Sequence, residues 1–146
     1  MPTGSGKSIL GLALAAKLKA KVLVVVHKID LVDGWKQDAK LLFNFENKDI
    51  GIIQGSNYHI GDQITIGTIQ TLSKKQEQFD TLCEEFDMII VDEAHHAPAS
   101  SYDITMHFNA RHKVALTATD QRNDGLREVM DFYFGGVCFR YVDTIE

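Results

Sequence analysis

The chain has 146 residues, 45% of them hydrophobic and 24% charged, with a formal net charge of −5. Size and balance fit a globular domain with an ordinary core and argue against a dedicated nucleic-acid-binding module, which usually presents a basic face. The longest aliphatic run, Val22 to Val26, is far too short to span a bilayer, and Cys83 and Cys138 form no ligand or disulfide pattern, so a cytoplasmic protein, or a nuclear one in a eukaryote, is expected.

Taken in order, the chain opens on Pro2 to Ser8, which ends in the Gly-Lys-Ser of a phosphate-binding loop. Gly4, Ser5 and Gly6 would let backbone N–H groups converge on a phosphate, Lys7 adds a mobile positive charge, and Ser8 offers a hydroxyl to Mg²⁺. From Gly6 to about Ala20 the apolar residues read as a helix packed on a sheet, with its N-terminal dipole aimed at the phosphates. Val22 to Val26 is an unbroken β-branched run, as for a strand buried on both faces of a parallel sheet, and His27-Lys28 follow at its carboxyl end.

A second helix is predicted over 30–43, weakened at Gly34. Two short strands at 50–54 and 63–67 flank a turn-rich stretch, 55–62, and 68–72 continues into a helix. The polar run 73–80 reads as a solvated helix face or loop. Met88 to Val91 is the clearest strand and delivers Asp92-Glu93-Ala94-His95-His96. Val114 to Leu116 repeats that pattern and delivers Thr117-Ala118-Thr119. A helix over 126–134 stops at Gly135-Gly136, and 137–142 reads as a last strand. Strands alternating with helices imply an open parallel α/β sheet in one domain, with ligands bound outside the carboxyl ends of the strands.

A loop that grips a triphosphate needs one group to hold Mg²⁺ and another to position water for attack on the γ-phosphate. Asp92 is placed for the first task and Glu93 for the second. Taken with the loop, the five segments PTGSGKS at 2–8, VVVHKIDLVDGW at 24–35, ITIGTIQTL at 64–72, IIVDEAHHAPA at 89–99 and LTATDQRNDG at 116–125 resemble motifs I, Ia, Ib, II and III of superfamily-2 helicases. The DEAHHAPA and TAT-x-x-R-x-DG details point to the branch of DNA-repair and phage-recombination helicases and restriction-enzyme motors.

The resemblance implies a three-layer P-loop NTPase fold of RecA-like type, residues 1–146 forming the first motor domain. It implies ATP and Mg²⁺ as ligands, with Lys7 and Ser8 on the phosphates and the metal, Asp92 on Mg²⁺ and Glu93 as catalytic base. His95, Thr117, Ala118 and Thr119 would couple nucleotide state to strand movement, while His27, Lys28, Thr68, Gln70 and Arg122 would touch nucleic acid, DNA before RNA. A second motor domain is the implied partner.

Two departures qualify this. Asp120 stands where the third motif usually has Pro, bringing an extra carboxylate near the triphosphate. Met1 occupies the first position of the loop motif, so no strand precedes it in the sequence, and no second sheet domain follows to supply an arginine, whose absence costs about 10³–10⁵-fold in rate. The expectation is a domain with little activity alone, in which residues 1–8 are displaced or another segment, or a second copy in a homodimer, fills the missing strand's place. The alternative is a non-catalytic remnant or interaction module. A small-molecule kinase is disfavoured because it has no use for the Asp92 to His95 and Thr117 to Thr119 elements.

Overall fold

Val22 to Val26 is apolar at every position because both of its faces are covered. In the computed structural model, which describes residues 6–74, 76–94, 99–118 and 126–136, this run is β1 (Val22–Val26). It joins β2 (Ile50–Gln54), β3 (Asn57–His59), β4 (Ile64–Thr68), β5 (Met88–Val91) and β6 (His112–Ala115) in one sheet of order β3-β2-β4-β1-β5-β6. All pairings are parallel except β2 with β3.

Side chains of β1 alternate between two cores. Val22, Val24 and Val26 pack with Leu12 and Ala15 of α1 (Gly6–Leu18) and with Val32, Trp35 and Ala39 of α2 (Ile29–Phe43). Leu23 and Val25 pack on the opposite face with Leu72 of α3 (Ile69–Leu72) and with Leu82 and Cys83 of α4 (Gln76–Cys83). That same core takes in Ile104 of α5 (Ala99–Met106) and Met130, Tyr133 and Phe134 of α6 (Leu126–Phe134). The result is the expected three-layer α/β arrangement with helices on both faces of a mostly parallel sheet.

Several local expectations change. The stretch 55–62 is not simply a turn, because Gln54 pairs with Asn57 and Ile52 with His59 across the two-residue loop Gly55-Ser56. Gly55 has φ 60°, the left-handed conformation that a tight hairpin needs. The polar run after Ser73 contributes the helix α4, one of the two forms expected for it, while α5 is an additional helix and β6 begins at His112 rather than Val114. On α1 the buried stripe is Ser8, Gly11, Leu12 and Ala15, which leaves Ile9 and Leu10 exposed and makes the apolar face narrower than the sequence suggests. Gly135, at φ 78°, ends α6 as expected. The proposed strand 137–142 lies outside the described residues. Among those described, β3 and β6 are the sheet edges, so a further strand or a second copy would add beside one of them.

Gly34 lies within α2, exposed, and a methyl group there would meet nothing within 4 Å. Gly34→Ala is therefore expected to raise stability by about 0.5–1 kcal/mol, through the smaller backbone entropy lost on folding. Chemical denaturation measures this, and an unchanged midpoint would contradict it.

Candidate nucleotide site at the carboxyl ends of the strands

Parallel register brings four strand ends to one level. Val26 is aligned with Thr68, Val25 with Val91, and Val91 with Ala115, so the segments that follow β1, β4, β5 and β6 emerge side by side. Main-chain bonds keep them there. The Asp92 N–H donates to Val25 O at 3.0 Å, Leu116 N–H to Val91 O at 2.8 Å, and Ala94 N–H to Leu116 O at 3.0 Å. The second and third motifs are thus tied directly to each other.

The first turn of α1 reaches the same place. Lys7 Nζ donates to Glu93 Oε1 at 2.8 Å, with both side chains about one-fifth exposed. A cation that could hold phosphate and a carboxylate that could take a proton from water therefore meet across a separation of 86 residues. Glu93 has φ 50°, an uncommon backbone conformation for a non-glycine residue, which sets the direction in which its side chain leaves the strand end.

Asp92 is 8% exposed, and both of its carboxylate oxygens accept protein hydrogen bonds. Trp35 Nε1 donates to Oδ2 at 2.8 Å and the Glu93 N–H donates to Oδ1 at 2.8 Å. Ser8 is also buried, and its hydroxyl donates to Asp38 Oδ2 at 2.5 Å. A hydroxyl and a carboxylate are hard oxygen ligands of the kind Mg²⁺ takes together with substrate phosphates. Among the described residues no three His, Cys, Asp or Glu side chains cluster for a metal, so such an ion would need the phosphates to complete its shell.

Of the nucleic-acid candidates, Lys28 is exposed and stands at the N-cap of α2, while His27 is half-buried. The exposed Gln70 donates through Nε2 to His27 O at 2.9 Å, joining the segments after β1 and β4. Thr68 lies deeper than a surface contact would require. It is 3% exposed, and its hydroxyl donates to Thr71 Oγ1, which also accepts from the Gly55 N–H. Thr117 is half-buried and Ala118 exposed beside the Ala94–Leu116 link. Gly4, Ser5, His95, Thr119 and Arg122, with Asp120, lie outside the described residues.

Trp35, the last residue of the 24–35 segment, and Asp38 join the candidate site through their contacts with Asp92 and Ser8, and neither has a role assigned from the sequence. The available signal was their spacing of three on one helix, which places them on one face, directly after a strand that ends at the site. Cys83 takes no part. Burial, followed by the charges of Asp80 and Glu84, pushes its thiol up to about 11, so little of it is the reactive thiolate.

Residues 1–122 match the family described as "Type III restriction enzyme, res subunit". The chain is 35% identical over 137 residues to the probable helicase of Escherichia phage T5, covering 93% of this chain and 29% of that protein. It is 32% identical over 141 residues to a DNA 3'-5' translocase of Sulfurisphaera tokodaii, covering 96% of this chain and 30% of the relative. It thus spans under one-third of the length of either. Among solved structures, the UvsW helicase of bacteriophage T4 superposes with a TM-score of 0.73 at 23% identity, over 92% of this chain and 51% of that one, a likeness of fold.

Proposed function

Because the chain belongs to the family of the type III restriction enzyme res subunit, and so to the superfamily-2 helicases and translocases, we propose that residues 1–146 are an ATP-binding and ATP-hydrolysing first motor domain working on DNA. The observation that carries this reading is the Lys7–Glu93 contact at 2.8 Å, beside the two oxygen ligands Asp92 and Ser8. DNA is favoured over RNA because the Sulfurisphaera relative is a DNA translocase.

Gly6, Lys7 and Ser8 begin α1, where the positive end of the helix dipole favours an anion. Lys7 exchanges its carboxylate partner for the β- and γ-phosphate oxygens when ATP enters. Glu93, released by that exchange, orients water and accepts its proton at the carboxylate. Bound Mg²⁺ supplies charge neutralisation on the phosphate oxygens. The Ala94–Leu116 bond lets a shift at the second motif move Thr117 and Ala118 with it. Lys28, the His27 main chain and Gln70 offer a shared surface for a phosphate backbone, and Thr68 acts by holding that backbone turn in shape. A second motor domain would supply the arginine that completes transition-state stabilisation.

Titration calorimetry with ATP and Mg²⁺ tests the reading. Micromolar binding is expected, weakened roughly 10- to 100-fold in Lys7→Ala by loss of a charge-assisted hydrogen bond. Absence of Mg²⁺-dependent binding to the unaltered chain would reject the proposal in favour of a non-catalytic module.

A further inference from the structure

Helix α2 touches both candidate metal ligands from one face. Trp35 donates to Asp92 Oδ2 at 2.8 Å, and three residues on, Asp38 accepts the Ser8 hydroxyl proton at 2.5 Å. We propose that Trp35 and Asp38 are positioning residues that set the orientation, and hence the Mg²⁺ affinity, of the two ligands. This rests on the ATP and Mg²⁺ reading above.

The chemistry at each contact is complementary. A serine hydroxyl has one proton and two lone pairs, so giving the proton to Asp38 fixes the rotor and with it the direction in which the oxygen can present a lone pair to a cation. A carboxylate has about four acceptor positions on its two oxygens. The Trp35 and Glu93 N–H groups use one on each oxygen of Asp92, and the remaining positions face a ligand in a defined direction. Trp35 is 2% exposed and packed in the core between α1 and the sheet, so its N–H is held without rotational freedom. Outer partners of this kind tune metal affinity by about 10- to 100-fold.

Trp35 is also the sole tryptophan of the chain, so its emission reports the state of its hydrogen-bond partner. The experiment titrates Mg²⁺ into the chain with a non-hydrolysable ATP analogue, following tryptophan emission and calorimetric heat, with a parallel titration of the analogue in EDTA. Asp38 is half-buried on the helix surface, so Asp38→Ala should fold, as circular dichroism checks. In Asp38→Ala the half-saturating Mg²⁺ concentration is expected to rise roughly 10-fold or more, with the EDTA titration unchanged. Asp38→Asn, whose amide oxygen still accepts the Ser8 proton, should recover most of the loss. Trp35→Phe removes the N–H but keeps a ring, and should raise the Mg²⁺ requirement in the calorimetric titration. Unaltered Mg²⁺ dependence in Asp38→Ala would overturn the inference while leaving the ATP reading standing. An unaltered chain that binds no Mg²⁺-nucleotide would overturn both.

Discussion

Glu93→Gln is expected to reduce ATP hydrolysis by about 10²–10⁴-fold while nucleotide binding is kept or improved. The substitution retains the size and much of the hydrogen bonding of the side chain but removes the group that can take a proton. It also dissolves the 2.8 Å ion pair with Lys7, so the lysine meets incoming phosphate without first leaving a carboxylate. Lys7→Ala should do the reverse and lose binding first. Steady-state hydrolysis with DNA present, together with calorimetric affinity for each variant, separates the two roles. If Glu93→Gln hydrolyses ATP at the original rate, Glu93 is not the base, and the Lys7–Glu93 pair is only a structural contact.

A second large effect lies away from the site. Gly61→Ala should cost at least about 3 kcal/mol and lower the Tm by roughly 6–12 °C. A Cβ at Gly61 would fall 2.3 Å from Gly51 N, 2.4 Å from Ile64 O and 2.5 Å from Asp49 O. The same crowding is seen from the other side, where a Cβ on Gly51 would lie 2.2 Å from Gly61 N. All of these neighbours are main-chain atoms in β2, in β4 or just outside them, so no side chain can swing aside. The connection into β4 would have to move, and with it the register that brings Thr68 level with Val26. Thermal unfolding measures the loss, and a Tm within 2 °C of the original, roughly the shift from a loss of under 1 kcal/mol, would refute it.

Much of the fold is legible in the residue order. β1 and β5 appear in the structure with the boundaries read from their apolar runs, because a strand covered on both faces has no polar position to blur its ends. The hairpin at Gly55-Ser56 was missed because its outer strand, Asn57–His59, has only three residues and sits at the sheet edge with two of them exposed. Helix α5 was missed because its segment, ASSYDITM, carries no amphipathic pattern.

By itself the sequence determined the positions of the Gly6-Lys7-Ser8 turn and of the two carboxylates after β5, and the alternation of strands and helices that brings them to one end of a parallel sheet. These depend on residue type and local period, which a linear reading sees. Only the tertiary structure decided that Thr68 is an internal hydrogen-bonding residue rather than an exposed one, and that Trp35 and Asp38 reach Asp92 and Ser8. The reason is that the crossing of α2 over the sheet sets which of its faces meets α1 and β5. That packing brings residues 57 and 30 positions apart within hydrogen-bond reach, and no spacing along the chain records it.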